Sequence, residues 1–265
     1  MAAPDISGQF NGGRPQAFMP TIEEITPQGR IITDPFSRLA REQQIYLFEG
    51  VNNQTAAVIV AQLFHYLNNG DKAKGIDFYI QSPGGSIDDG EAIMDAMEKL
   101  KDNGWTIRTF AVGHSKSMGS LLLVAGSKGH RWCLPNASIM IHEPASERGY
   151  AKSEDQISDV AQIAHIKTRM AVRYATYTNM SYEQAMKIMT GPDYNIRAEE
   201  AVALGVVDKI DYPKNSPEIA AATKFLNEQH YRLHQEAQIQ PGLLPTAPDF
   251  KKPATVAVPA PVNQP

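Results

Sequence analysis

Apolar and polar positions along the chain repeat with two periods. Residues 44–48, 76–80 and 105–112 are short runs dense in β-branched and aromatic residues, the signature of buried strands. Between them the period lengthens. Residues 54–67 carry a dense apolar face that Asn53 is placed to cap, and residues 91–101 are amphipathic at helical spacing. Residues 121–125 are uniformly apolar, stop at Gly126, and predict a short buried helix. Two short strands follow at 131–134 and 138–141, then a long helix over 153–178. Ser181 caps a helix over 182–189, and a short helix over 198–204 ends at Gly205 before a strand at 206–210. Strand–helix alternation of this kind predicts an α/β fold with a mainly parallel sheet covered by helices.

The ends of the chain depart from this pattern. Residues 1–18 are rich in Gly, Pro, Gln and Asn and read as a disordered leader or propeptide, and residues 19–30 as a short extended piece with turn signals. From Pro213 the composition shifts. Ser216-Pro217-Glu218 starts a helix that runs to about residue 238, and residues 241–265, rich in Pro and Ala, read as a flexible tail. The expected division is a leader over 1–18, one domain over 19–212, a helical extension over 213–240 and the tail over 241–265.

Composition narrows the function. With 42% hydrophobic and 20% charged residues, the 265-residue chain is ordinary for a globular protein. A net charge of −4 without a basic stripe argues against nucleic-acid binding. No apolar run approaches the roughly 18–20 residues of a membrane span. The single Cys133 excludes an intramolecular disulfide and fits a reducing compartment; with no secretory h-region in the first 30 residues, the expected location is the cytoplasm. No cofactor and no metal are expected.

The candidate chemistry centres on residues 113–120, Gly-His-Ser-Lys-Ser-Met-Gly-Ser, between an expected strand and an expected helix. A serine there stands at a helix N-terminus, where unpaired N–H groups favour developing negative charge. Close helix packing explains the small residues equally well, and the sequence does not fit the G-x-S-x-G elbow. Gly84-Gly85 follow a strand, where glycines let a backbone N–H face a bound carbonyl. His142 follows the strand at 138–141, and Asp193 precedes the helix at 198–204. Ser, His and Asp on separate loops are the parts of a nucleophilic triad, but a bonded loop histidine and a helix-capping aspartate read the same way.

Five motifs in order and register remove the ambiguity: Ser82-Pro83-Gly84-Gly85-Ser86, Ser117-Met118-Gly119, Leu134-Pro135-Asn136, Met140-Ile141-His142 and Ala198-Glu199-Glu200-Ala201. Together they closely resemble the proteolytic subunit family of the Clp proteases, from about residue 19 to 210. The resemblance implies the α/β spiral of repeated β-β-α units shared with crotonases, with a long protruding helix at 153–178 that zips stacked seven-membered rings together. It implies Ser117 as nucleophile, His142 as general base, Asp193 as orienter, and an oxyanion hole from the N–H groups of Gly85 and Met118. It further implies that substrate lies along Ser86, Ile87, Asp88 and Pro144, pairing as a strand with the segment after the glycines. The implied partners are unfolded polypeptides, an ATP-driven unfoldase and further copies of the chain.

The sequence also departs from the family. Ser115-Lys116 stand where small alanines are usual, Glu143 replaces a glutamine, and Gly191-Pro192 replace charged residues. Three other readings compete. A crotonase-type acyl-CoA enzyme needs no Ser/His pair, a silent ring subunit is expected to have lost a triad member, and a Ser–Lys membrane peptidase needs a span.

Overall fold

The computed structural model describes residues 20–27, 29–144 and 153–239; the expectations for 1–18 and 241–265 lie outside them. The chain opens on an antiparallel hairpin, β1 (Ile22–Thr26) and β2 (Gly29–Thr33), where the sequence predicts only an extended piece. A short helix α1 (Pro35–Ala40), capped by Asp34, leads to β3 (Gln44–Leu47). Then come α2 (Asn53–Asn69), β4 (Ile76–Ser82), α3 (Ile87–Asp102), β5 (Ile107–Lys116) and α4 (Met118–Val124). β6 (Arg131–Cys133) and β7 (Ser138–Ile141) precede α5 (Ser153–Tyr177) and α6 (Tyr182–Thr190), and the chain continues through β8 (Tyr194–Ile196), α7 (Ala198–Ala203), β9 (Lys209–Ile210) and α8 (Pro217–Ile239).

The main sheet has the order β3-β4-β5-β6-β9, all parallel, with helices as crossovers. β4 shows why it forms: Ile76, Phe78, Ile80 and Ser82 alternate into the core, wholly buried. The opposite face carries a stacked row of aromatics, Tyr46, Tyr79, Phe110 and Trp132, one from each of four neighbouring strands. Below the sheet, α2, α3 and α4 supply the core; all seven residues of α4 are buried, its one polar side chain, Ser120, hydrogen-bonded.

One feature of the sheet places the site. β5 is longer than the apolar run at 105–112, and its two halves have different neighbours. Thr109–Ala111 pair with β6, whereas His114–Lys116 pair with β7 beyond a register shift opposite Ile80 and Ser82. β7 in turn pairs antiparallel with β8. The last residues of β5, β7 and the start of β8 therefore lie side by side.

The C-terminal part of α5 is well partnered. Met170, Ala171 and Tyr174 are buried in the core, and Arg169 and Arg173 both pair with Glu91 on α3. The C-terminal extension forms the expected helix, α8, which packs on α7, with Asn227 Nδ2 donating to the Pro135 carbonyl.

Candidate active site

Ser117 sits between β5 and α4 with φ 53° and ψ −125°, a backbone region that normally demands glycine. Such a conformation costs on the order of 1–3 kcal/mol and persists only where its surroundings enforce it. Here they do. The Ser117 N–H donates to the Met140 carbonyl on β7 at 2.8 Å. Its own carbonyl accepts from the Ser120 N–H at 2.9 Å and from the Ser120 hydroxyl at 2.7 Å. With its proton committed to Ser117, the Ser120 hydroxyl accepts from the buried Tyr174 hydroxyl at 2.7 Å. Burial raises the Tyr174 pKa well beyond the ordinary tyrosine range, more than the Ser120 contact lowers it, so this donor stays protonated.

The register of β7 and β8 brings in the other two groups. Because Lys116 pairs with Met140 and Ile141 pairs with Tyr194, His142 falls beside Ser117 and opposite Asp193. His142 Nε2 lies 2.8 Å from Ser117 Oγ, and His142 Nδ1 lies 3.7 Å from Asp193 Oδ1. The first contact is a hydrogen bond; the second is looser, in keeping with an Asp193 side chain that is 64% exposed.

A turn of glycines closes the other side. A Cβ on Gly84, whose φ is +95°, would stand 2.5 Å from Ser117 Cβ and 3.0 Å from the Met118 nitrogen, so no other residue fits. The Val51 N–H donates to the Gly84 carbonyl and the Ser86 N–H donates to the Val51 carbonyl, both at 2.8 Å, which pins the turn. Neither the Gly85 N–H nor the Met118 N–H, the first of α4, has an acceptor among the described residues. The Met118 N–H follows Ser117 directly and the Gly85 N–H follows Gly84, which packs against Ser117; backbone donors of this kind are what stabilisation of an oxyanion uses. Gly84→Ala is expected to displace Ser117 and reduce kcat/KM for a short peptide by at least about 100-fold, the cost of an ångström-scale misplacement. Activity within tenfold of wild type, with unchanged circular dichroism, would mean that this turn does not set the position of Ser117.

The remaining expectations fare unevenly. Ser86 is the N-cap of α3, and Ile87 and Asp88 form its first turn. The Ser86 N–H and carbonyl are already bonded, to Val51 and Gly90, and a helical turn presents no strand ladder. The N–H groups of Ile87 and Asp88, in the first turn of α3, have no acceptor among the described residues and remain open to a ligand. Pro144 is buried just past His142. Glu143 pairs with Lys167 on α5 at 3.2 Å, which offsets the carboxylate next to the histidine. Lys116 ends β5 in its pair with Met140. Cys133 is buried, and burial, helped by Glu199, pushes its thiol up to about 12, so it is no rival nucleophile.

Sequence reasoning missed the Tyr174–Ser120 brace and the strand β8. Tyr174 reads as one more apolar position of a long helix, and only its fold partner reveals the hydroxyl's task. The arrangement brings together the groups that nucleophilic acyl transfer uses: a hydroxyl, an imidazole in contact with it, a carboxylate near the imidazole and two backbone N–H groups. All of these groups fall within residues 27–213, the span matched by the family model for Clp protease. That span is well over half of the sequence, and the chain belongs to the Clp protease family.

Proposed function

We propose that the protein is the proteolytic subunit of an ATP-dependent Clp-type protease, a serine endopeptidase that cuts unfolded polypeptides. The observation that carries this reading is the 2.8 Å contact of His142 Nε2 with Ser117 Oγ, together with N–H groups of Gly85 and Met118 that have no acceptor among the described residues. In the proposed reaction Ser117 Oγ attacks the scissile carbonyl carbon as its proton passes to His142 Nε2. The carbonyl oxygen becomes an anion held by the N–H groups of Gly85 and Met118. Asp193 accepts from the Nδ1–H of the charged imidazole and keeps Nε2 aimed at the serine. Collapse of the intermediate breaks the C–N bond, and Nε2 returns its proton to the leaving amine. A water, deprotonated by the same Nε2, then hydrolyses the acyl-serine and restores the hydroxyl.

Crotonase-type chemistry on acyl-CoA gives no reason for a serine hydroxyl held against a histidine. A silent scaffold subunit gives no reason to keep Ser117, His142 and Asp193 together. The rest of the reading rests on family membership: stacked seven-membered rings, an ATP-driven unfoldase that feeds them, and a cytoplasmic location. No helix among the described residues is long and apolar enough to cross a membrane. Light scattering combined with two assays tests the reading. Expected are a particle many times the 29.1 kDa chain, cleavage of short peptides without nucleotide, and cleavage of folded proteins only with a Clp-type unfoldase and ATP. A fully active monomer contradicts it.

A further inference from the structure

The helix that follows the family-matched span carries a second cluster of chemistry-bearing groups. His230 and His234 stand four residues apart on α8 and therefore on one face, directed at α7. Beneath them lies Glu200 of α7, whose side chain is 0% exposed. His234 Nδ1 is 3.1 Å and His230 Nδ1 3.9 Å from the same oxygen, Glu200 Oε2. The other oxygen, Oε1, accepts from the Tyr194 hydroxyl at 2.6 Å, and the Tyr194 ring stacks on His234. The donor atoms of Glu200, His230 and His234 all lie within 4.8 Å of one another.

A hydrogen-bonded cluster explains only part of this. His234 Nδ1 is close enough to donate to the carboxylate, but His230 Nδ1 is buried without a hydrogen-bond partner among the described residues, and 3.9 Å is too long for a hydrogen bond. A buried carboxylate is costly unless it is paired or coordinates a cation, and neutral imidazoles do not offset its charge. Burial foremost, then His234 and, more weakly, Arg197, hold the His230 imidazole below its usual pKa against the pull of Glu200.

We propose that Glu200, His230 and His234 form a binding site for a divalent transition ion of the zinc class, which clamps α8 onto the peptidase domain. Two imidazoles and one carboxylate, with a fourth position left to water, are a known zinc donor set. Bonds of about 2.0–2.2 Å in a tetrahedral site put the donors roughly 3.3–3.5 Å apart, between the two separations seen here. The histidine side chains are 33% and 27% exposed, which leaves an entry path and room for the water. Tyr194 supports the carboxylate from behind, as ligating carboxylates require. Tyr194 also follows Asp193 directly and pairs with Ile141 beside His142, so the bound ion would steady the strand next to the catalytic groups. Two of the three ligands lie beyond the family-matched residues, so the site is a feature of this chain's extension and stands or falls independently of the peptidase reading.

The test uses untagged full-length protein stripped with EDTA and titrated with Zn2+ against a chromophoric chelator. Wild type is expected to take up one tight equivalent per chain. His230→Gln and His234→Gln should each weaken it at least about 100-fold, since losing supporting groups alone costs 10–100-fold. Zn2+ should also slow hydrogen exchange along α8 in wild type. This second measurement decides the matter even if a variant fails to fold. Absence of a stoichiometric site in wild type, uptake that both variants retain, or α8 exchange indifferent to Zn2+ overturns the proposal.

Discussion

Ser117→Ala is expected to reduce peptide hydrolysis by about five to six orders of magnitude, mainly in kcat, while leaving the fold intact. The hydroxyl's contact is with His142, which is itself only half-buried, so its removal leaves no deeply buried group unpaired. The residual rate should reflect the two N–H donors and substrate positioning alone, roughly 10³–10⁴ above uncatalysed hydrolysis. Ser117→Gly provides an internal control. Glycine adopts φ 53° and ψ −125° without strain, so this variant should be equally inactive yet more stable than Ser117→Ala by about 1–3 kcal/mol in chemical denaturation. Activity within a hundredfold of wild type in either variant contradicts Ser117 as the nucleophile. Equal stability of the two contradicts the view that the turn stores strain.

Asp193→Asn should lower kcat by about 10²–10⁴ and leave KM nearly unchanged. The amide NH2 can donate to Nδ1 and so favour the wrong imidazole tautomer, and the substitution removes the charge that steadies the imidazolium. The broad range has a structural reason. A fully buried orienter costs about 10⁴ when changed in this way, but Asp193 is 64% exposed and 3.7 Å from the imidazole, so water replaces part of its effect. The same exposure means that the substitution should leave stability nearly unaltered. Because the three groups act as one unit, Ser117→Ala with Asp193→Asn should be no slower than Ser117→Ala alone. A loss below tenfold in kcat for Asp193→Asn removes Asp193 from the machinery.

How far the sequence announced this molecule depends on the element. The strands at β3, β4, β6 and β7 and the long helices α2, α5 and α8 follow from their patterning, and Ser181 with Gln184 forms a readable capping box on α6. α2 is capped by Asn52 instead of Asn53. The two asparagines are equivalent as cappers, and the Thr55 hydroxyl selects Asn52 by closing the box. α3 begins at Ile87, four residues before the expected start, although Gly90 in its first turn lowers helix propensity. The structure needs that glycine, as a Cβ would stand 2.3 Å from Met118 Cγ. Ser86, Asp88 and Asp89 were the signal for the earlier start. β8 is three residues long and exists because it pairs with β7, which no local pattern encodes.

The site divides along the same line. Ser117 and His142 were visible as motif residues, but their contact depends on the switch of β5 from β6 to β7, a tertiary event. The segment after the glycines is legible as a turn, but that residues 86–88 already belong to the start of α3 is not. The His-x-x-x-His spacing on α8 was present in an expected helix but acquires meaning only once Glu200 is found buried beneath it.

The central claim, that Ser117 is an activated nucleophile, is tested most directly by mass spectrometry after treatment with a fluorophosphonate serine probe. The expected result is one adduct per chain, located on Ser117, absent from Ser117→Ala and formed far more slowly by His142→Ala. No adduct on Ser117, or adduct formation unaffected by the loss of His142, would contradict it.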